Sequence, residues 1–362
     1  MNIFISAGDP SGDIHAANLA AALKRASPGT TVTALGGQKL REVCDEFLAD
    51  IVGLGGFGFW QPVRLFFKLR ALLKNTVLKN WERAKPDRVV VVDYYGFNIF
   101  VAAEAFKRGI PVYYYISPQV WATRPGRIRK IARYVRKMIV ILPFEEKLYR
   151  DAGLDAEFVG HPLLDLVPVP ETTGVSVTGK MTIGLFPGSR PNVFKRHIGL
   201  LIETANLIGK SLDAEFKIFC VPALAPLCKG LPYPVVVEEN YEERKKISLA
   251  ITTSGTVSLE NALLCIPMVV YYKLSSFNYF IARMLVNIPY VTMVNILLGR
   301  MLVPELLQDE ATPENIAGKV KDIFAREGSL EAFRKELAGL RAHLGRPGVS
   351  ARAAEIILGN RT

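Results

Sequence analysis

The chain has 362 residues, is 50% hydrophobic and has a formal net charge of +11 at pH 7. This length accommodates two domains with ordinary cores, and this composition excludes a disordered protein. The positive charge favours an anionic partner such as a phosphorylated small molecule or a membrane surface. Because no nucleic-acid-binding module is recognisable, we expect no nucleic acid among the partners.

The predicted elements alternate between short β-branched runs and longer helical patterns, which is typical of parallel sheets covered by helices. In the first half, strands are predicted at residues 2–6, 31–35, 89–93, 112–117 and 138–142. A second series is predicted at residues 182–186, 216–221, 235–237, 249–252 and 268–271. Residues 167–180, rich in Pro, Thr, Gly and Ser, separate the two series and are interpreted as an interdomain linker.

The most informative loop is Gly8-Asp9-Pro10-Ser11-Gly12-Asp13, which follows the first predicted strand. Its glycines allow backbone conformations that other residues avoid, and Ser11 or Asp13 can cap the helix behind it. Ligands of parallel α/β domains usually bind at the carboxyl ends of strands. The loop therefore predicts a ligand site, with a purely structural turn as the alternative.

A second polar segment ends the predicted strand 89–93. Asp93 occupies the strand's carboxyl end, where catalytic acids and bases are commonly placed, and Asn98 follows nearby. Their structural alternatives are a turn residue and a helix cap. His161 follows another strand-like segment and is either structural or a ligand contact.

Residues 53–58 match the dinucleotide pattern Gly-x-Gly-x-x-Gly, but no acidic residue follows about twenty positions later, so we expect no dinucleotide. The next stretch mixes aromatic residues with Arg and Lys, which is typical of a segment lying on anionic lipid. An ordinary core-facing helix is the alternative. The residues expected to meet lipid or acyl chains are Phe59, Trp60, Phe66 and Phe67.

Two loops of the second half are suited to phosphate. In the first, Gly188 and Ser189 precede Arg190, whose guanidinium offers a fork of donors to phosphate oxygens. In the second, Ser254-Gly255-Thr256 opens a helical pattern whose N-terminal N–H groups attract anions. Glu260 lies about one turn inside that helix, close enough to accept hydrogen bonds from sugar hydroxyls. A turn with a solvated arginine and a solvated carboxylate are the alternatives.

The cysteines are dispersed and lack the spacing of a metal site or a disulfide framework, so we expect free thiols in a reducing cytosol: Cys44, Cys220, Cys228 and Cys265. We expect no metal and no cofactor. The chain enters strand-like sequence without signal-peptide features, and its longest uncharged stretch, residues 284–299, falls short of a spanning helix. A cytoplasmic protein that is soluble or peripheral to a membrane is expected.

Several motifs then follow one another in a specific order. The most specific are Ser117-Pro118-Gln119-Val120-Trp121-Ala122 and Pro304-Glu305-Leu306-Leu307-Gln308. The others are the loop 8–13, Leu142-Pro143-Phe144-Glu145, Gly160-His161-Pro162-Leu163, Pro187-Gly188-Ser189-Arg190, and Ser254-Gly255-Thr256 with Glu260. Over nearly the whole chain, they resemble the lipid-A-disaccharide synthase family of inverting glycosyltransferases.

The resemblance implies a GT-B fold, in which two Rossmann-like domains with parallel sheets enclose an interdomain cleft. We expect an acceptor- and membrane-facing domain at 1–166, a linker at 167–180 and a UDP-sugar-binding domain at 181–345. The last segment, 346–362, is expected to form a helix that packs back on the first domain.

The resemblance also implies the reaction. UDP-2,3-diacylglucosamine is the expected donor and 2,3-diacylglucosamine 1-phosphate the acceptor, giving a β-1,6-linked disaccharide 1-phosphate and UDP. The expected place is the inner face of the cytoplasmic membrane, whose anionic surface is a further partner. Monomer and homodimer both stay open.

The expected site residues fall into three groups. The catalytic candidates are Asp93, Asp13 and Asp9, of which the first two are candidates for the general base. The UDP-binding residues are Gly188, Ser189, Arg190, Ser254, Gly255, Thr256 and Glu260. Further cleft or substrate contacts are expected at Ser11, Asn98, Gln119, His161, Asn295, Glu305 and Gln308.

Four positions depart from the family pattern. Asp9 stands where relatives have Glu, Gly96 where many have a second Asp that is a favoured base, Val193 where Glu is usual, and Val294 where Pro is usual. Two alternatives therefore remain open: a divergent paralogue that acts on another UDP-sugar or lipid acceptor, and a non-catalytic nucleotide- or lipid-binding descendant.

Overall fold

The computed structural model describes residues 1–52, 62–123, 126–170, 181–274, 289–325 and 328–360. The chain forms two compact units, of which the first contains Met1–Asp165 together with Leu344–Thr362, and the second contains Leu166–His343. Residues 171–180 of the predicted linker lie outside the described residues.

The first unit is built on a parallel sheet whose described strands are in the order β3-β2-β1-β4-β5-β6-β7. The strands are β1 Asn2–Ala7, β2 Thr31–Gly36, β3 Glu46–Asp50, β4 Arg88–Val92, β5 Val112–Tyr115, β6 Lys137–Val140 and β7 Ala156–Phe158. Successive side chains of a strand enter opposite faces of the sheet. Phe4 packs in one apolar cluster, and its neighbours Ile3 and Ile5 pack in the other. Both faces are therefore buried, as parallel sheets require.

The helices of the first unit follow these strands. They are α1 Pro10–Ala26, α2 Gln38–Arg41, α3 Pro62–Leu72, α4 Leu78–Arg83, α5 Tyr95–Lys107, α6 Val120–Thr123, α7 Arg127–Tyr134, α8 Pro143–Asp151 and α9 Leu163–Leu166. A short π-helical segment, Leu73–Val77, joins α3 to α4.

The second unit has the same design. Its described strands are in the order β10-β9-β8-β11-β12-β13, and all pair in parallel. They are β8 Met181–Phe186, β9 Ala214–Cys220, β10 Val235–Val237, β11 Leu249–Thr253, β12 Met268–Tyr272 and β13 Glu305–Leu307. The helices are α10 Pro191–Gly209, α11 Thr256–Leu263, α12 Met293–Leu298, α13 Pro313–Phe324 and α14 Ser329–His343, with 3₁₀ turns at Pro222–Cys228, Arg244–Lys246 and Gln308–Glu310.

The predicted strands are found, with corrections at their ends. The predictions that placed Asp93 and residues 116–117 inside strands were wrong, because β4 ends at Val92 and β5 at Tyr115. The reason is backbone conformation: Asp93 and Ile116 have φ of +44° and +63°, which are left-handed values that a strand cannot accommodate. The strands predicted at 138–142 and 216–221 also end earlier than predicted, because β6 ends at Val140 and β9 at Cys220. The short edge strands β3 and β13 were not predicted.

A C-terminal helix, α15 Val349–Leu358, completes the core of the first unit. It packs on α1, and its buried side chains, including Val349, Ala353 and Ile357, join the apolar cluster that contains Ile3 and Ile5. Its N-terminus is held by Asp165, whose carboxylate accepts hydrogen bonds from the backbone N–H groups of Gly348, Val349 and Ser350 at 2.6, 3.2 and 3.2 Å.

We predict that Asp165→Ala weakens the attachment of α15. Losing a side-chain cap of this kind costs about 0.5–2 kcal/mol, so the backbone amides of α15 should exchange with solvent deuterium faster than in the parent. Hydrogen exchange followed by mass spectrometry measures this change. The control is Asp322→Ala, which removes an exposed carboxylate from α13. Unchanged exchange in α15 would contradict the capping role.

Candidate functional site

The site of the second unit lies where the strand order of its sheet reverses. β8 and β11 pair side by side, with Phe186 opposite Thr252, although the chain continues from them toward opposite edges. The loops that follow the two strands therefore open at the same edge of the sheet. In parallel α/β folds, this reversal is where ligands bind.

A cavity of about 230 Å³ occupies this edge. Its lining includes Gly188 and Ser189 after β8, and Ser254, Gly255 and Thr256 after β11. Cys220 and Val221 line it at the end of β9, and Glu238, Arg244 and Glu260 add charged groups. The structure thus brings together most of the predicted UDP-binding residues, which lie far apart in the sequence.

One end of the cavity is suited to an anion. Gly188 and Gly255 have φ of +106° and +149°, so side chains there would be strained and the backbone stays accessible. No side chain caps α11 at Gly255, and Thr256 and Val257 of its first turn line the cavity. A helix N-terminus has donor N–H groups and a positive partial charge, which favour phosphate oxygens.

The other end contains a carboxylate–guanidinium cluster that was not predicted from the sequence. Arg244 is 4% exposed and forms ion pairs with Glu238 and Glu260. Its Nη1 donates to Glu260 Oε2 at 2.7 Å, and its Nε donates to Glu238 Oε1 at 2.7 Å. The hydroxyl of Tyr241 donates to Glu260 Oε1 at 3.1 Å.

The electrostatics of this cluster keep Arg244 charged. Burial alone would lower the pKa of the guanidinium, but the two carboxylates outweigh burial and raise that pKa. For Glu238, burial raises the pKa although Arg244 opposes the shift. Burial, reinforced by the negative charge of Glu260, raises the pKa of Tyr241, so its hydroxyl stays a donor at neutral pH.

Arg190 lies beside the cavity and does not line it. It is the N-cap residue of α10, directly after Ser189, and its side chain is exposed. The predicted phosphate contact by Arg190 stays a prediction.

The first unit has a corresponding reversal of strand order between β1 and β4, which pair with Ala7 opposite Val92. The loop 8–13 and the Asp93 turn therefore open at one edge of the sheet. Asp93 and Tyr94 are consecutive non-glycine residues with left-handed φ of +44° and +42°. Such residues are strained and persist only where their surroundings hold them.

The Asp93 turn is held through its carbonyl oxygen. Tyr114 Oη donates to that oxygen at 2.7 Å, and Asn98 Nδ2 donates to it at 2.9 Å. Asn98 is fully buried and also accepts from the Ser6 hydroxyl at 2.7 Å. Asn98 therefore has a structural role. It braces the turn at the start of α5, instead of capping the helix as the structural alternative predicted.

The Asp93 carboxyl has an unusual protonation equilibrium. Burial raises its pKa to about 7, and the negative charge of Asp9 contributes to the shift, while a hydrogen bond from the Tyr94 backbone opposes it. A carboxyl that titrates near neutrality is suited to accept a proton during a reaction.

The other two catalytic candidates are engaged in local structure. The Asp9 carboxylate caps α1 by accepting from Gly12 N and the Ser11 hydroxyl, both at 2.8 Å. The Asp13 carboxylate is 4% exposed and accepts from the backbone N–H groups of Gly37, Lys39 and Leu40. The Asp13 carboxylate therefore accepts hydrogen bonds from the start of α2. These bonds use lone pairs that a general base would need to accept a proton.

Among the remaining predicted contacts, His161 and Asn295 are buried, and Glu305 and Gln308 are half-buried. His161 Nδ1 accepts from Leu163 N at 3.2 Å, and burial, reinforced by the positive charge of His15, lowers the pKa of His161 to about 3. Asn295 donates to Glu305 at 2.8 Å, and Gln308 binds the backbone of Leu274. Of the expected cleft residues, Ser11 and Gln119 are exposed.

Glu145 is a buried carboxyl of the first unit. It belongs to one of the sequence motifs, but no role was predicted for it. Glu145 is 1% exposed and accepts from Trp121 Nε1 at 3.1 Å and from Leu142 N at 3.2 Å. Burial raises its pKa to about 7. These bonds connect the start of α8 with α6, so two of the specific motifs meet in one hydrogen-bonded cluster.

The predicted lipid-contacting residues are only partly described. Phe59 and Trp60 lie outside the described residues, as does the pattern 53–58, and for Phe66 the helix α3 alone is described. Phe67 is 62% exposed. Within the described ranges, no helix is long and apolar enough to cross a membrane, and no three His, Cys, Asp or Glu side chains cluster as metal ligands would.

Comparison with solved structures shows the fold. UDP-GlcNAc 2-epimerase from Neisseria meningitidis bound to UDP-GlcNAc superposes with a TM-score of 0.64 at 13% identity, covering 99% of this chain and 100% of that one. MurG from Acinetobacter baumannii gives a TM-score of 0.63 at 16% identity, covering 99% of both chains. The chain has the two-domain, Rossmann-like GT-B fold that the sequence predicted.

Comparison of sequences gives the family. The lipid-A-disaccharide synthase of Syntrophus aciditrophicus (strain SB) is 37% identical over 375 residues, which cover 98% of this chain and 97% of that protein. The lipid-A-disaccharide synthase of Anaeromyxobacter dehalogenans (strain 2CP-C) is 39% identical over 371 residues, with 99% and 97% covered. Residues 3–355 also match the family model described as lipid-A-disaccharide synthetase. The chain belongs to the lipid-A-disaccharide synthetase family.

Proposed function

We propose that the chain transfers 2,3-diacylglucosamine from UDP to 2,3-diacylglucosamine 1-phosphate, forming the β-1,6-linked lipid A disaccharide 1-phosphate and releasing UDP. The observation that carries this proposal is the cavity of the second unit. It combines an anion-suited helix N-terminus with the carboxylate of Glu260, in a chain of this family. A nucleoside diphosphate presents the matching groups, which are phosphate oxygens and vicinal hydroxyls.

In this proposal, the second unit binds the donor. The backbone around Gly188, Ser189 and Gly255 contacts the diphosphate, with Ser254 and Thr256 beside it, because these residues line the anion-suited end. Arg190, which directly follows Ser189, adds a guanidinium to the phosphates. Glu260 accepts hydrogen bonds from the ribose hydroxyls. As the bond to UDP breaks, the N-terminus of α11 and Arg190 stabilise the charge on the leaving diphosphate.

The first unit then supplies the base for the acceptor. An inverting displacement needs a hydroxyl that attacks in line and a group that takes its proton. Asp93 fits this role because it is half-buried, has its pKa raised to about 7 and is braced through its carbonyl oxygen, not its carboxylate. At Gly96, where many relatives have a second aspartate, no carboxylate is present. A Cβ built there would project into open space, so an aspartate would fit.

We propose that this reaction takes place at the inner face of the cytoplasmic membrane. Both substrates have acyl chains, and the net charge of +11 favours an anionic surface. On α3, exposed Phe67 stands next to two exposed cations, Lys68 and Arg70. An exposed aromatic ring beside cations is typical of a segment in the membrane interface. The expected cleft contacts Ser11 and Gln119 are proposed to face the acceptor.

The test of the function is direct. The protein is incubated with UDP-2,3-diacylglucosamine and 2,3-diacylglucosamine 1-phosphate, and the products are identified by mass spectrometry. The proposal expects the disaccharide 1-phosphate and UDP in equal amounts. Turnover of other UDP-sugars alone would favour the divergent paralogue, and UDP binding without any turnover would favour the non-catalytic descendant.

We predict that Arg190→Ala weakens UDP binding by roughly 1.5–3 kcal/mol, the range of a hydrogen bond to a charged group. Calorimetric titration with UDP measures this loss. Lys195→Ala is the control, because it removes an exposed cation from the next turn of the same helix. Equal losses in both variants would indicate a general charge effect, and an unchanged affinity in Arg190→Ala would remove Arg190 from the donor site.

We predict that Asp93→Asn lowers the turnover number by about 10²–10⁴-fold, as the loss of a general base typically does. UDP affinity should be unchanged, because Asp93 lies outside the donor cavity. Asp151→Asn, which changes an exposed carboxylate on α8, is the control. Adding Gly96→Asp to Asp93→Asn should return part of the turnover. Full activity of Asp93→Asn would show that Asp93 is structural.

The same assignment predicts the pH dependence of the parent. The base must be deprotonated, and burial raises the pKa of Asp93 to about 7. The rate constant for single-turnover transfer should therefore rise tenfold per pH unit below about pH 7 and level off above it. Asp93→Asn should lack this acidic limb. A parent profile that is flat from pH 5 to 8 would contradict the assignment.

We predict that Phe67→Ser reduces binding to anionic phospholipid vesicles while leaving the melting temperature nearly unchanged, because Phe67 is 62% exposed. Co-sedimentation with vesicles measures the bound fraction. The matched control is Met301→Ser, since Met301 is 60% exposed and lies in the second unit. A lowered melting temperature in Phe67→Ser would show that the ring belongs to a packed core.

A further inference from the structure

Glu260 is held in place before any ligand binds. Its Oε2 accepts from Arg244 Nη1 at 2.7 Å, and its Oε1 accepts from the Tyr241 hydroxyl at 3.1 Å. A carboxylate has about four lone-pair positions, so each oxygen keeps one for a further donor. The side chain therefore presents two free acceptor positions in a fixed orientation within the donor cavity.

Arg244 is itself rigidly enclosed. It is 4% exposed, and Glu238 accepts two of its hydrogen bonds on the side away from Glu260. The guanidinium carbon lies 5.0 Å from the ring centre of Phe186 and 5.2 Å from that of Tyr241. Cation–π contact and a two-point carboxylate bond both fix the plane of a guanidinium. A lysine has neither the planar fork nor the reach to bond both carboxylates.

The position of Glu260 relative to the phosphate end defines what it can recognise. Both Glu260 and the first turn of α11 line the same cavity, about one helical turn apart. A nucleotide whose phosphates occupy the helix N-terminus places its sugar next to them. Two fixed acceptor positions match the two adjacent hydroxyls of ribose, whereas 2′-deoxyribose would leave one position of a partly buried carboxylate without a donor.

We propose that Arg244 and Tyr241 are positioning residues that orient Glu260 and thereby make the cavity selective for ribonucleotide over 2′-deoxyribonucleotide carriers. The proposal rests on the proposed function, because it takes the cavity to be the UDP site. It adds a determinant of specificity whose residues are separated from the phosphate-binding loops. A ligand binds with a smaller loss of side-chain freedom when Glu260 is already oriented, so these residues act on affinity through Glu260.

The test compares UDP with 2′-deoxy-UDP by calorimetric titration of the parent and of variants. The parent should bind UDP at least about tenfold more tightly, since a hydrogen bond to a charged group contributes at least this factor. Arg244→Lys keeps the positive charge but frees Glu260. It should lower UDP affinity until the two nucleotides bind within about threefold of each other, with the affinity for 2′-deoxy-UDP nearly unchanged.

Two further variants separate orientation from folding. Tyr241→Phe removes only the hydroxyl that holds Oε1 and should reduce the UDP preference by a smaller factor than Arg244→Lys does. Lys246→Ala changes an exposed cation in the same 3₁₀ turn and should keep the full preference of the parent. Retained binding of 2′-deoxy-UDP shows in each case that the cavity is intact.

The outcomes are distinguishable. A parent that discriminates while Arg244→Lys and Tyr241→Phe keep the same preference would overturn the inference, as would equal losses for both nucleotides or a parent without preference. A parent that binds neither nucleotide would overturn the proposed function, and the inference with it.

Discussion

The reversal of strand order inside each parallel sheet is the constraint on which both sites depend. At each reversal, two neighbouring strands send their chains in opposite directions, so the loops at their carboxyl ends are not covered by a crossover helix. In the first unit, the pairing of Ala7 with Val92 brings the Asp9 loop to the Asp93 turn. In the second, the pairing of Phe186 with Thr252 brings Gly188 to Gly255. Main-chain hydrogen bonds therefore set the positions of groups that are distant in sequence.

Much of this arrangement could be predicted from the sequence, because apolar β-branched runs identify buried parallel strands and glycine-rich loops mark their carboxyl ends. Gly188, Ser189, Gly255 and Thr256 were predicted together and lie together in one cavity. What could not be predicted was backbone conformation after the strands. The left-handed Asp93 is held by a local bond from Asn98 and by a bond from Tyr114, which belongs to the next strand and gave no signal near Asp93 in the sequence.

The charged cluster escaped prediction for a different reason. Glu242-Glu243-Arg244-Lys245-Lys246 has the composition of a solvated turn, and its neighbours are indeed exposed. Only Arg244 turns inward, because Glu238, Glu260 and the ring of Phe186 offer it a complete set of partners. Glu145 is similar, since its partners Trp121 and Leu142 come from separate motifs. A charged side chain is buried only where other groups pair with it, and the sequence alone does not show which distant groups those are.

The placement of α15 in the first unit has a consequence for biosynthesis. One face of the first sheet is finished by Val349, Ala353 and Ile357, residues that leave the ribosome after the entire second unit has been made. The second unit is contiguous and can fold while it is being translated. The first unit, in contrast, has an incompletely covered apolar face while the 178 residues of Leu166–His343 are synthesised. Chaperone binding or early contact with lipid would have its longest opportunity at that face, and a gene fragment that stops after Asp165 would encode an incomplete core.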